Sequence, residues 1–196
     1  MNKSSHDCRQ HIIDIAKEII SHKGFSGVGI NEILNAAGVP KGSFYYYFAS
    51  KEAFGVAVLD DFFEQYIALM QQTFAQEGRA LDNLLQFWQR WLQTQGDCSA
   101  TCNKCLVVKL SAEVSDLSVE MRKVLAEGTG QVITLITQMI EKIIAEDALE
   151  CTHSSAKQMA ESLYELWLGA SLLTKIQQSS APLERAYQTT VMLLTH

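Results

Sequence analysis

The sequence predicts an all-α protein of about nine helices, and three observations lead to that fold class. Apolar residues recur at three- and four-residue steps along most of the chain. No stretch shows sustained alternation of apolar and polar residues, which is the pattern of a half-buried strand. Only two of the 196 residues are proline, Pro40 and Pro182, and an interior proline breaks a helix. Because 47% of the residues are hydrophobic, the chain can bury a core.

Four helices are predicted in the first part of the chain. The first carries isoleucines at helical spacing and ends before Gly24. Gly38 stops the second, and a tight Gly38-Val39-Pro40 turn leads into the third. Ser50 is the predicted N-cap of the fourth. The predicted bounds are about Asp7–Lys23, Asn31–Ala37, Lys41–Phe48 and Ser50–Gln76.

Five further helices are predicted in the rest of the chain. The fifth is strongly amphipathic, with leucines and tryptophans on one stripe. Gly128 and Gly130 weaken the middle of the long seventh helix. Pro182 suits the first turn of the last helix. The predicted bounds are about Leu81–Gln95, Cys105–Val114, Leu117–Glu146, Ser155–Gln178 and Pro182–Leu194.

Charge is distributed unevenly along the chain, whose formal net charge is −6. Residues 1–55 carry six lysines and arginines against five acidic residues, whereas the remainder carries ten against seventeen. The N-terminal part can therefore meet an anionic partner while the body stays anionic. No apolar run approaches the roughly 18 residues that span a bilayer, and the polar N-terminus shows no signal segment. The expected location is the cytoplasm, where the five cysteines are expected as free thiols rather than a disulfide framework.

The sequence of residues 30–45 predicts a helix-turn-helix. Ala36 and Ala37 are small enough to let two helices cross closely, and Gly38 takes the backbone out of the helix. The next helix opens with Lys41-Gly42-Ser43, whose free amides and cation suit a phosphate. Such a unit places its second helix in the major groove of DNA. Three adjacent tyrosines, 45–47, cannot all face one core on that helix.

These motifs resemble those of the TetR family of repressors. The matching residues are Gly24-Phe25, Ile30, Ala37-Gly38-Val39, Lys41-Gly42-Ser43-Phe44-Tyr45, Tyr47-Phe48 and Ser50-Lys51-Glu52. The resemblance implies a DNA-binding domain over residues 1–50 and a regulatory and dimerisation domain over residues 51–196. It assigns contact with bases and phosphates to Lys41, Gly42, Ser43, Tyr45, Tyr46, Tyr47 and Lys51, and places Phe44 and Phe48 in the core of the head.

The resemblance also implies the partners. They are double-stranded palindromic operator DNA, a second copy of the chain docked through the last two helices, and a small inducer bound by the body. The sequence itself indicates no cofactor and no membrane. Two positions depart from the family pattern. Gly27-Val28-Gly29 replaces a common Thr or Ser, and Tyr47 replaces a common His, so the operator sequence is open.

Cys105 is the predicted sensing residue. From Cys105 to Ser118 the chain resembles a branch of the family that responds to electrophiles and hypochlorite. Cys105 follows Lys104 at a predicted helix start, and both a cation and helix amides favour the reactive thiolate. Lys175 is a second sensing candidate, since it follows the apolar stretch 166–174 and could meet the modified sulfur. The alternatives are that Cys105 is a small packed residue and Lys175 a surface lysine at a helix end.

The same sequence is compatible with other functions. Cys98, Cys102 and Cys105 have the spacing i, i+4, i+7 and could bind a soft metal in a metal-controlled repressor. Trp88 and Trp91 could line a pocket for a hydrophobic inducer, although that spacing is more often core. The sequence shows no nucleophile–base pattern and no phosphate loop, so it does not indicate an enzyme. Glu113 and Asp116, near Lys109, are interpreted as a solvated helix face.

Overall fold

The computed structural model describes residues 5–96, 106–146 and 155–195, and within these ranges the chain forms nine α-helices and no strand. This confirms the all-α prediction, and the ends of each helix lie within one turn of the predicted ends. None of these helices combines the length and apolar character needed to span a bilayer. The helices are α1 (Ser5–Lys23), α2 (Ile30–Ala37), α3 (Lys41–Tyr47), α4 (Lys51–Phe74), α5 (Ala80–Gly96), α6 (Leu106–Leu117), α7 (Val119–Ala145), α8 (Ala156–Gln177) and α9 (Ala181–Thr195).

The chain folds into two compact units. The first, here the head unit, comprises Met1–Glu64 with Asn103–Gly128, and the second, the body unit, comprises Gln65–Cys102 with Thr129–His196. The head unit therefore contains α1, α2 and α3 together with α6 and the first part of both α4 and α7. The helix-turn-helix thus shares one compact unit with α6, which follows it in sequence by more than fifty residues.

Isoleucines and phenylalanines form the core of the head unit. Its fully buried side chains include Ile12, Ile13, Ile20, Ile33, Phe44 and Phe54. A polar contact supplements this core between α1 and α4, where Lys17 Nζ lies 2.5 Å from Asp61 Oδ2 and Gln10 Nε2 lies 2.7 Å from Asp61 Oδ1. Lys17 is almost fully buried, so this ion pair is screened less than a surface pair.

Two glycines allow α4 and α7 to approach closely inside the head unit. A Cβ on Gly55 of α4 would lie 2.7 Å from Met121 Sδ of α7, and one on Gly128 of α7 would lie 2.4 Å from the Phe63 ring of α4. Any larger residue at either position must displace its neighbour. The glycines therefore set the separation of the two helices.

A cluster of aromatic side chains lies in the core of the body unit. Trp88 of α5 stacks on Trp167 of α8, with ring centroids 4.8 Å apart and planes inclined by 17°. The Trp91 indole N–H donates to Ser171 Oγ at 3.0 Å, and that of Trp167 donates to Thr190 Oγ1 at 2.9 Å. These contacts join α5, α8 and α9.

Candidate nucleic-acid interface

The turn between α2 and α3 has the geometry that the sequence predicted. Gly38 is left-handed, with φ 65° and ψ 32°. Its N–H donates to Asn35 O at 3.2 Å, and the Val39 N–H donates to Leu34 O at 3.0 Å, which satisfies carbonyls that end α2. Ala37 is buried near this turn while Ala36 is exposed, so only one of the two predicted small residues lies in the core.

Helix α3 buries one face and exposes the other. Phe44 packs on Phe48 and Phe54, with centroids 5.2 Å from each, which confirms the predicted core role of the first two. On the opposite face, Tyr45 is 56% exposed and Tyr46 is 76% exposed. Lys41 and Gly42 are exposed, and Ser43 and Tyr47 are half-buried. The helix thus carries a cation and two aromatic hydroxyl side chains on its solvent face.

Lys51 is the first residue of α4 and lies beside the helix-turn-helix. Its Nζ is 5.0 Å from the centroid of the Phe25 ring, within the range of a cation–π contact. Ser50 Oγ accepts the Ala53 N–H at 3.0 Å, which confirms that Ser50 is the N-cap. Lys51 is half-buried, and it follows the last residue of α3 by four residues.

Glu113 of α6 departs from the sequence prediction. Asp116 is exposed as expected, but Glu113 is only half-exposed and does not lie on a solvated face. Its two oxygens accept two consecutive backbone N–H groups of the α1–α2 loop. Phe25 N–H donates to Oε2 at 3.1 Å and Ser26 N–H donates to Oε1 at 2.5 Å. The solvated-face interpretation of Glu113 was therefore wrong.

The loop amides also set the protonation of Glu113. Burial alone raises the pKa of this carboxyl, but hydrogen bonds from Ser26 and Phe25 and the nearby Lys109 ammonium together hold its pKa below the ordinary value. Lys109 lies one turn earlier on α6, and its Nζ donates to His22 O at 3.1 Å. The ionised carboxylate and the lysine thus bind both sides of the junction that ends α1.

Ser118, between α6 and α7, makes a second polar link in the head unit. Its Oγ donates to Glu52 Oε1 of α4 at 2.5 Å. The same oxygen accepts the Met121 N–H at 3.1 Å, which caps α7. No short motif marks the links of Ser118 to Glu52 and of Glu113 to Phe25, because these partners lie 66 and 88 residues apart in sequence.

The predicted sensing residues are only partly described. Cys105, together with Cys98 and Cys102 of the metal alternative, lies outside the described residues. Lys175 is exposed on the last turn of α8, as the surface-lysine alternative expects. Within the described part of the chain, no group of three or more His, Cys, Asp or Glu side chains could hold a metal ion.

The two pocket candidates lie inside the body unit. Trp88 and Trp91 are both buried in the aromatic core. Trp88 Nε1 has no hydrogen-bond partner among the described residues, whereas the other two described indole N–H groups are paired. An inducer contact by either side chain stays a prediction.

Comparisons with known proteins cover nearly the whole chain. Residues 12–58 match the family model described as bacterial regulatory proteins, tetR family, and residues 78–190 match a tetracyclin repressor-like C-terminal domain. The chain is 42% identical to the HTH-type transcriptional repressor NemR of Escherichia coli K12, over 95% of this chain and 94% of that protein. It is 31% identical to the HTH-type transcriptional repressor DhaR of Mycobacterium sp. GP1, over 90% and 87%. A crystal structure of E. coli NemR in its reduced form superposes with a TM-score of 0.87, covering 94% of this chain and 95% of that one.

Proposed function

Because the chain belongs to the tetR family of bacterial regulatory proteins and is a DNA-binding transcriptional regulator, we propose that it represses transcription as a dimer on a palindromic operator and releases that operator when a reactive electrophile or oxidant modifies Cys105. The observation that carries the DNA-binding part is the exposed face of α3. Tyr45 and Tyr46 turn to solvent while Phe44 anchors the helix in the core. A reading helix needs this combination of rigid support and free side chains.

Each head contributes different kinds of contact to the DNA. Tyr45, Tyr46 and Tyr47 would meet base edges and sugars in the major groove, and Lys41, Gly42 and Ser43 would meet phosphate at the start of α3. Lys51 would hold a neighbouring phosphate. Phosphate contacts position the protein and base contacts specify the sequence. Since one head reads one half-site, two heads about 34 Å apart are needed for useful affinity.

We propose Cys105 as the residue that the inducer modifies. It immediately precedes Leu106, the first residue of α6, and follows Lys104. A cation and the amides of a helix start both stabilise a thiolate. With a maleimide, the thiolate sulfur forms a bond to one alkene carbon, and the other carbon takes a proton from water. With hypochlorous acid, the sulfur is oxidised to a sulfenic acid and chlorine leaves as chloride. Lys175, which is exposed on the last turn of α8, stays a second sensing candidate.

A gel-shift titration tests the regulatory part. The probe is the duplex upstream of the protein's own gene, and the proteins are the wild type and Cys105→Ser, each with and without N-ethylmaleimide. We expect both unmodified proteins to bind, and only the wild type to release the duplex after treatment. If Cys105→Ser releases equally, the thiol assignment is wrong. A probe that neither protein binds is replaced by a duplex selected from a random library.

The DNA-contact residues are tested by two substitutions and one control. Tyr45→Ala should weaken binding in a sequence-dependent way, because a base contact is lost. Lys51→Ala should weaken binding about uniformly across sequences and lower the slope of log K against log salt by about one. The control is Lys123→Ala, which removes an exposed cation of α7. Full affinity in both of the first two variants contradicts the assignment.

A further inference from the structure

The α1–α2 loop of the head unit is held by a side chain from α6. Both carboxylate oxygens of Glu113 are used on the adjacent N–H groups of Phe25 and Ser26. Gly24, just before them, approaches the same carboxylate so closely that a Cβ there would lie 2.8 Å from Oε2. Three consecutive loop residues are thus fitted to one carboxylate.

The held loop also supports the predicted phosphate contact. The Phe25 ring is buried and lies beneath the Lys51 ammonium. The Phe25 Cζ atom approaches the backbone of α4 at Gly55, where an added Cβ would lie 2.7 Å away. Because Glu113 holds the backbone of Phe25, the position of the ring follows the position of the carboxylate. A displacement of the carboxylate would therefore displace the ring on which the Lys51 ammonium lies.

We propose that Glu113 is a positioning residue for operator binding, and that α6 transmits the state of Cys105 to the DNA-contacting helices through its grip on the α1–α2 loop. This transmission by α6 rests on the function proposed above. Glu113 lies two helical turns after Cys105 in sequence, on the helix that Cys105 precedes. Lys109, between them, holds the His22 carbonyl at the end of α1. The end of α1 and the loop that follows it are thus attached to α6 at two successive turns.

The chemistry of the grip explains why a carboxylate is needed. The two backbone N–H groups need two acceptors, and a carboxylate supplies both with charge-assisted hydrogen bonds. An amide side chain of the same shape supplies one acceptor and one donor, so one loop N–H would face an N–H. Glu113→Gln therefore removes one of the two hydrogen bonds to the loop and leaves the volume of the side chain nearly unchanged.

The first test compares Glu113→Gln with Asp116→Asn. Both remove one negative charge from α6, and Asp116 is exposed, so their long-range electrostatic effects on DNA are matched. Binding of the fluorescein-labelled operator duplex is followed by anisotropy at a temperature where circular dichroism shows every variant folded. We expect Asp116→Asn to bind at least as tightly as the wild type and Glu113→Gln to bind about tenfold more weakly, a change of roughly 1.4 kcal/mol. Equal affinity of the two variants overturns the proposal.

A double-mutant cycle with Lys51→Ala separates positioning from a general loss of stability. If Glu113 acts through Phe25 and Lys51, the effects of Glu113→Gln and Lys51→Ala on affinity overlap, so the double variant binds more tightly than their sum predicts. A cycle of Asp116→Asn with Lys51→Ala should be additive. Additivity in both cycles removes the path through Lys51, as does a Lys51→Ala variant that binds like the wild type.

The link to sensing is tested in a background where Cys105 is the single cysteine, the other four being serine. Modification by N-ethylmaleimide is verified by mass spectrometry before the affinity is measured. We expect modification to weaken binding much less in Glu113→Gln than in the background protein, because its loop is already loosened. An undiminished effect in Glu113→Gln contradicts the transmission path. If the background protein itself does not respond, thiol sensing has failed, and the comparison with Asp116→Asn still decides the positioning role.

Discussion

Gly24 meets two demands at one position in the turn that follows α1. Its φ of 81° lies in the left-handed region, which costs an L-residue about 1–2 kcal/mol. An added Cβ would also lie 2.8 Å from Glu113 Oε2. We expect Gly24→Ala to lower the free energy of unfolding by more than the backbone cost alone, measured by urea denaturation.

The two contributions at Gly24 can be separated with Glu113→Ala as the background. There the steric conflict is gone, so Gly24→Ala should cost only the backbone penalty of about 1–2 kcal/mol. An equal cost in both backgrounds would show that the carboxylate exerts no steric constraint on this turn.

The pKa of Glu113 gives a pH-dependent stability. The pKa is depressed in the folded chain from its ordinary value of 4.5, so the folded state favours the ionised carboxylate. The stabilisation is present in full above 4.5 and is lost as the pH falls through the folded pKa. We expect the difference in unfolding free energy between the wild type and Glu113→Gln to be widest near pH 7 and to narrow below pH 4.5.

Asp116→Asn is the reference for this pH series, since its acid is exposed. The narrowing expected for Glu113→Gln is measured against this variant. A gap for Glu113→Gln that widens in acid would contradict the assigned direction of the pKa shift.

Single residues differ in how far the sequence predicts them. The exposure of Tyr45 and Tyr46 follows from local geometry, because adjacent residues on a helix point in directions about 100° apart. Glu113 could not be predicted in the same way. Its spacing to Lys109 and Asp116 is that of an ordinary solvated face, and the N–H groups it binds lie 88 and 87 residues away.

At the scale of elements, the helix ends were predictable because their signals are local. Gly24 and Gly38 take left-handed conformations after α1 and α2, and Ser50 caps α4. The close approach of α4 and α7 was not predictable. In the sequence, Gly128 reads only as a weak point in a helix, and its contact with Phe63 depends on how two distant segments pack.

Gly128 and Gly130 should respond in opposite directions to the same substitution. Gly128→Ala puts a methyl group into the Phe63 ring, and such overpacking costs about 1–3 kcal/mol. Gly130 has nothing within 4 Å of its Cβ position, so Gly130→Ala should stabilise α7 by about 0.8–1 kcal/mol. Chemical denaturation of both variants checks the pair. A stabilising Gly128→Ala would show that α4 and α7 are not held at the described separation.

At the scale of the whole molecule, the periodicity of the sequence could not predict that α6 belongs to the head unit. The apolar stripe of α6 predicts that it packs on something, but not on what. In the structure, Lys109 and Glu113 of α6 bind the end of α1 and the loop after it. Helix α6 is thereby part of the same compact unit as α3, the helix proposed to contact bases.

The proposed function requires a dimer, because a palindromic operator presents two half-sites. Exposed apolar side chains cluster on the last two helices, namely Leu172, Leu173 and Ile176 of α8 with Met192 and Leu193 of α9. Ile176 is 67% exposed in the single chain, so Ile176→Glu should leave the monomer folded but bury an unpaired charge in the dimer, at about 3–5 kcal/mol. We expect sedimentation velocity at micromolar concentration to show a dimer for the wild type and a monomer for Ile176→Glu. Gln89→Glu, the control at an exposed site on α5, should remain a dimer. In a gel shift, Ile176→Glu should bind the operator more weakly than the other two proteins. If Ile176→Glu remains dimeric and binds the operator fully, the two copies meet through another surface.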